Sequence, residues 1–287
     1  MKIGVALSGG GIRGIAHAGV LKALEDYHIP IDIIGGTSAG SMVASLYAIG
    51  YSPDVIFQLF KRHSDEIIGA KKLSVIASLL NFRLSKRLTL TGFHNGKSIE
   101  ELYDRLSKKK KIDKVSEVKM PLVITTVDIM QSKEYIFTNY VPEKVDDKSK
   151  YITNISIGKA VRASSSFPAV FSPCNIEKHA FMDGGALDNV PVLEVKNQGA
   201  DKVLAVKFDA DAIDESSNLM DIAMKTIDIM GTKIAENNLK ASDYILNVYT
   251  DKVGLLDVEK LDKCYEYGYK SVEENIEEIR KVFNNNM

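Results

Sequence analysis

Five residues, Gly36-Thr37-Ser38-Ala39-Gly40, constrain this chain more than any other stretch. They sit between the apolar run Ile31-Asp32-Ile33-Ile34 and the small-residue run Ser41-Met42-Val43-Ala44-Ser45-Leu46. A strand-type run followed at once by a helix-type run requires a sharp turn, and a serine at its apex projects its hydroxyl into open space. Such a turn crowds the residues two before and two after the serine, where only glycine fits comfortably, and here these are Gly36 and Gly40. The pattern reads as a nucleophile elbow. The helix starting just beyond Ser38 brings unpaired N–H groups and the positive end of its dipole, with Ala39 first, to any oxyanion forming beside the serine. A plain strand-to-helix turn that contains serine would look the same, so the surrounding sequence has to decide.

Upstream, an apolar run over residues 2–8 ends in Gly9-Gly10-Gly11-Ile12-Arg13-Gly14, and a helical pattern follows from Gly14 to Tyr27 with His17, Val20, Leu21 and Leu24 on one face. The glycine loop has the spacing GxGxxG, which raises a dinucleotide-binding reading. That reading needs an acidic residue at the end of the second strand, about 20 residues on, to hold a ribose. Asp32 lies at that distance but opens the strand, and the far end carries Gly35-Gly36-Thr37-Ser38 instead. Consecutive glycines also expose backbone N–H groups as a concave nest for a negative oxygen, whether a phosphate or the oxyanion of a tetrahedral intermediate. An elbow serine on the next strand favours the oxyanion.

The 37 Lys+Arg against 38 Asp+Glu leave a formal charge of −1, so no global field argues for nucleic acid as a partner. Hydrophobic residues make up 45% of the 287, enough for a sizeable core. No signal peptide opens the sequence, and no stretch reaches the roughly 18 uninterrupted apolar residues of a membrane helix, so a cytoplasmic location is expected. One segment qualifies this expectation. From Ile67 to Ile99 there is no acidic residue, while Lys71, Lys72, Arg83, Lys86 and Arg87 are interleaved with leucines, a composition suited to peripheral contact with a membrane surface through 71–87 or to an ordinary solvated helix pair. Cys174 and Cys264 lie far apart without metal-ligand spacing and read as two reduced thiols; no metal or cofactor is expected.

Farther along, Pro121–Asp128 reads as a strand with Glu134–Thr138 returning as its hairpin partner, and Asn139–Lys150 as a surface loop. Ile157–Ala163 reads as a short helix ended at Pro168, Ala180–Met182 as a strand stopping at Asp183-Gly184-Gly185, and Val203–Phe208 and Tyr244–Val248 as further strands. Helical tracts cover Leu219–Lys240 and Leu261–Phe283. Strands and helices alternate, which predicts a mainly parallel sheet covered on both faces.

Three pieces stand in a fixed order: GGGIRG at 9–14, GTSAG at 36–40 and DGG at 183–185. Together with the helix Gly14–Leu24, the segment Ala160–Pro168 and Asn189-Val190-Pro191, they resemble the patatin-like phospholipase family over residues 3–207. The resemblance implies a three-layer α/β/α fold, with 1–287 forming one catalytic domain that residues 208–287 complete. It also implies cleavage of lipid acyl esters by a Ser-Asp dyad without histidine or metal. On that basis Ser38 is the nucleophile, Asp183 the base, and Gly9, Gly10 and Gly11 the oxyanion hole, assisted by Ala39. Apart from the resemblance, the Arg13 guanidinium could steady the glycine loop, bind a substrate phosphate or pair with a buried carboxylate, the first being favoured, while Gly14, Gly36, Gly40, Gly184 and Gly185 shape the motifs. Lipid or acyl-ester substrates of phospholipase A or lysophospholipase type follow. The alternative is a regulatory protein that binds a nucleotide or phospho-ligand in the GxGxxG loop.

The histidines provide a separate check. A hydrolase triad in the order serine, acid, histidine needs a histidine after the acid, and none follows Asp183. Asp128 with His179 is the formal exception. Asp188 is the rival carboxylate to Asp183, and His17 is expected in the core.

Overall fold

The computed structural model describes residues 1–64, 67, 94–143, 149–168, 170–208, 219–251, 253 and 258–283. The first half runs β1 (Ile3–Leu7), α1 (Ala16–Asp26), β2 (Ile33–Thr37), α2 (Ala39–Ala48), α3 (Pro53–Arg62), α4 (Lys97–Lys109), β3 (Leu122–Asp128), β4 (Lys133–Thr138) and β5 (Ser149–Ile152). The second half runs α5 (Ile157–Ser164), β6 (Cys174–Ile176), β7 (His179–Asp183), α6 (Val192–Asn197), β8 (Lys202–Phe208), α7 (Leu219–Leu239), β9 (Tyr244–Val248) and α8 (Leu261–Phe283). The basic stretch 71–87 lies outside the described residues.

The nine strands form one sheet with the path β5-β4-β3-β2-β1-β8-β9, to which β7 adds by pairing with β3, and β6 by pairing with β7. Five ladders are parallel and three antiparallel. The sheet is thus mainly parallel, but among the described residues the alternation of strand and helix fails along α2–α3–α4, along β3–β4–β5 and at the hairpin β6–β7.

Side chains alternate across the pleat and sort into two apolar clusters. Val5, Leu7, Leu122, Ile124, Leu204 and Val206 join α1, α2, α3, α4, α5 and α8 on one face. Ala6, Ile33, Val123, Val203 and Ala205 meet Val192 and Val195 of α6 and Ala235 and Leu239 of α7 on the other. This is a three-layer α/β/α arrangement, and a sheet covered on both faces explains why its central strands β1, β2 and β3 are buried throughout.

Several local expectations need revision. The second strand begins at Ile33 rather than Ile31 and continues through both glycines to Thr37. The tract expected as loop up to Lys150 already enters β5 at Ser149. Strand β6 and helix α6 had no expectation at all. Three and six residues are too short for a periodic signal, and tertiary pairing decides them. Both cysteines are buried free thiols, and among the described residues no helix is long and apolar enough to cross a membrane.

Candidate active site

The parallel strands β1, β2 and β3 deliver their C-terminal ends to one edge of the sheet, and the sequence motifs meet there. Between β2 and α2, Ser38 has φ 53° and ψ −121°. A non-glycine residue held in that region carries backbone strain of about 1–3 kcal/mol. The surroundings enforce it: a Cβ on Gly36 would meet the Gly40 carbonyl at 2.3 Å, and one on Gly40 would meet the Leu7 carbonyl oxygen at 2.3 Å. The Ser38 N–H donates to Ser164 Oγ at 2.9 Å, and Ser41 Oγ donates to the Ser38 carbonyl at 2.6 Å. The elbow is therefore braced on both sides of its reactive side chain.

The glycine loop crosses in front of Ser38. Gly9 N–H donates to the backbone oxygen of Asn189 at 3.3 Å and to its Oδ1 at 3.1 Å. Gly9 was expected among the oxyanion donors, but its N–H is already engaged and acts as a brace. The N–H groups of Gly10, Gly11 and Ala39 have no acceptor among the described residues, and all three residues line the pocket that Ser38 faces. Arg13 Nε donates to the Gly10 carbonyl at 3.3 Å, and its guanidinium lies 5.6 Å from the Phe208 ring centre. This contact fits the loop-steadying role. Gly14 lies directly against Ala39, and Gly184 against Thr125.

Asp183 ends β7 and turns its carboxylate inward, with Oδ1 accepting the Gly185 N–H at 2.9 Å. The side chain is 4% exposed. Burial lifts its pKa to about 6, against the opposing pull of the Ser38 hydroxyl and the Gly185 N–H. The approach of Ser38 is looser than a full hydrogen bond and leaves Oδ2 without a partner, as is common for catalytic pairs before substrate tightens them. Met42, Phe60, Ile67, Phe167, Val170 and Phe171 wall the rest of the pocket. The chemistry such a site supports is attack by a serine on a carbonyl attached to an apolar chain.

The competing acids and bases are accounted for. His17 is fully buried and donates from Nε2 to the Ser8 carbonyl at 2.8 Å. Burial lowers its pKa to about 4, so it is a neutral core residue. His179 does form the formally expected pair, with Nδ1 2.7 Å from Asp128 Oδ2. That pair stands at the outer end of the β3–β7 ladder, whereas Asp183 stands opposite Thr126 at its inner end, and neither His179 nor Asp128 borders the pocket. Burial and the neighbouring Glu194 carboxylate raise Asp188, whose Oδ1 accepts the Val190 N–H at 3.3 Å. Asp32 Oδ2 accepts the Ile3 N–H at 2.7 Å at the opposite edge of the sheet, far from any ligand in the glycine loop. Among the described residues no three His, Cys, Asp or Glu side chains gather as a metal site.

Two supporting residues, Asn189 and Ser164, were visible in the sequence only as parts of longer motif segments. Their roles depend on hydrogen bonds across 180 and 126 residues of chain.

Comparison with known proteins shows the family. A family model described as patatin-like phospholipase matches residues 5–196. The chain is similar to the lysophospholipase NTE1 of Yarrowia lipolytica, 33% identical over 215 residues that cover 75% of this chain and 13% of that protein. It is also 27% identical to the lysophospholipase NTE1 of Lodderomyces elongisporus over 299 residues, covering 93% of this chain and 18% of that one. The chain thus spans less than a fifth of the length of these relatives. Among solved structures it resembles ExoU-SpcU from the type III secretion system of Pseudomonas aeruginosa, with TM-score 0.52, 18% identity, and coverage of 97% of this chain and 51% of that one. Human GIVD cytosolic phospholipase A2 in complex with methyl gamma-linolenyl fluorophosphonate gives TM-score 0.51 at 11% identity, covering 98% and 59%. At these identities the two structures speak for the fold alone.

Proposed function

Since the chain belongs to the patatin-like phospholipase family, we propose that it hydrolyses carboxylic esters of lipids through Ser38 and Asp183. The observation that carries this reading is the strained Ser38 facing a buried Asp183 at the floor of an apolar pocket. Asp183 takes the Ser38 proton as Oγ attacks the ester carbonyl carbon, and the carbonyl oxygen becomes an oxyanion held by the N–H groups of Gly10, Gly11 and Ala39. The C–O bond to the alcohol then breaks, with the proton passing from Asp183 to the departing oxygen and the acyl group left on Ser38. Water, deprotonated by Asp183, attacks the acyl-serine; collapse releases the fatty acid and returns the proton to Ser38 Oγ. An acid with its pKa near 6 is charged at neutral pH, yet basic enough to accept the serine proton in the transition state.

Monoacyl and diacyl phospholipids are the proposed substrates, following the lysophospholipase names of the relatives and the phospholipase family model. The phospho-ligand alternative is weaker, because its ribose anchor is missing from the loop's edge of the sheet: Asp32 is tied to Ile3 at the other. A fluorophosphonate probe should label Ser38 alone, and Ser38→Ala should abolish both labelling and turnover across a lipid panel; label on Ser8, Ser41 or Ser164 would overturn the assignment. From the sequence we also infer that the stretch 71–87 guides the enzyme to anionic lipid, each basic side chain contributing about 1 kcal/mol. Glutamine at Lys71, Lys72, Arg83, Lys86 and Arg87 should then weaken vesicle binding more than hydrolysis of a soluble ester. Equal losses in both would refute that role.

A further inference from the structure

Behind the acyl pocket lies a buried cation that the proposed chemistry does not use. Arg162, in the last turn of α5, is 2% exposed. Nε donates to the Asn95 carbonyl at 2.8 Å, Nη2 to the Ser172 carbonyl at 2.7 Å, and Nη1 to Ser166 Oγ. All three acceptors are neutral oxygens, and the guanidinium also lies 5.8 Å from the Phe171 ring centre. A buried charge is retained at a desolvation cost that an apolar side chain would avoid, so its fixed fork of donors has to supply something that apolar packing cannot.

What it supplies is a junction. His94 and Phe171 form an isolated parallel bridge, His94 N–H donating to Val170 and Ser172 N–H to His94. The two carbonyls that Arg162 holds, Asn95 and Ser172, are the next residues along each strand of this clasp. Gly96, at φ 63°, makes room for the arginine: a Cβ there would lie 2.1 Å from Nε. The segment so fastened carries Phe167, Pro168, Val170 and Phe171, one wall of the pocket around Ser38. Asp183, by contrast, is held independently by the β3–β7 ladder and the Gly185 N–H, although its own N–H also reaches the Ser166 carbonyl.

Resting on the hydrolase reading, we propose that Arg162 is a positioning residue that sets the acyl-chain wall and thereby the selectivity for long acyl chains. It touches no reacting atom. Loosening the clasp should leave the site able to cleave an ester whose acyl group never reaches the wall, and impair one whose acyl group must lie along it.

The test compares p-nitrophenyl acetate with p-nitrophenyl decanoate, using the full chain and the variants Arg162→Lys and Ser166→Ala. Arg162→Lys keeps the charge and loses the fork, and it should lower kcat/KM on the decanoate about tenfold more than on the acetate, mostly through KM. Ser166→Ala removes one partner, should fold more readily, and should skew the ratio in the same direction by about threefold. A uniform loss on both esters, or no loss on either, overturns the proposal. If the unaltered protein cleaves neither ester and takes no fluorophosphonate label, the hydrolase reading itself falls and this inference with it.

Discussion

The ladder between β3 and β7 carries two buried aspartates with opposite fates. At its outer end, Asp128 accepts His179 Nδ1 at 2.7 Å, the Met130 N–H at 3.0 Å and the Ala180 N–H at 3.3 Å. Burial pushes its pKa up, but these donors outweigh burial and hold it below the ordinary carboxylate range. At the inner end, Asp183 has one backbone donor and a loose approach from Ser38, so burial prevails and its pKa rises to about 6. Two aspartates on one pair of strands thus differ in how readily each takes up a proton. The depth of burial and the number of donors around each together decide that difference.

The sharpest way to break this comparison is to neutralise each acid in turn. Asp183→Asn should cut kcat by about a thousandfold, while Asp128→Asn should leave most of the turnover and instead lower stability by about 2 kcal/mol. Comparable loss of turnover in both would mean that the histidine pair takes part in catalysis.

Stability should separate them next, in opposite directions. With a folded pKa near 6 against an unfolded value near ~3.9, Asp183 keeps its proton in the folded state over a range where the unfolded chain has lost it. The folded protein is therefore favoured at low pH, and that advantage fades as pH rises from about 4 to about 6. Above that range the buried charge costs about 3 kcal/mol, so Asp183→Asn should raise the unfolding free energy at pH 7.5 and do little at pH 3.5. Asp128 has a lowered pKa, and its contribution should instead be present at neutral pH and lost on acidification. Denaturant titrations at the two pH values read both.

A smaller effect concerns donors already engaged against those left open. Asn189→Ala removes the side-chain acceptor, leaves the Gly9 N–H only the backbone carbonyl at 3.3 Å and loosens the glycine loop, and kcat should fall about tenfold with little change in KM. An unchanged kcat would mean that the loop holds its shape without Asn189.

The smallest expected effect is on the pH profile of His179→Gln. The acid limb of kcat/KM should stay near about 6, moving by less than about half a unit, because it belongs to Asp183. The position of the limb alone does not separate the two candidates, since a carboxylate raised to that value titrates close to an imidazole. Only its response to substitution does.

The elbow was legible in the sequence because Gly36 and Gly40 are required by contacts within a few residues or with the adjoining strand, and local crowding leaves a local signature. The order of strands was not. That β8 lies beside β1 depends on which apolar runs pair, and Val203–Phe208 resembles any other strand. The engagement of Gly9 by Asn189 and of Ser38 by Ser164 was hidden for the same reason: each bond joins motif segments far apart in the chain. Arg162 reads as the basic end of a short helix until Asn95 and Ser172 are seen around it.

The central place of β1 governs when the frame around the glycine loop can be completed during synthesis. The strand that leads into the glycine loop is flanked on one side by β2, made early, and on the other by β8, nearly 200 residues later. The Phe208 ring that ends β8 lies directly against Gly10 and beneath Arg13. A nascent chain that stops short of Lys202 already carries Ser38, Asp183 and the Asn189 brace, yet it leaves one edge of β1 open and the glycine loop without Phe208 against Gly10. Closing so long a loop is slow compared with forming local contacts. Ser38 and Asp183 are therefore made well before the sheet that frames the glycine loop beside them is complete.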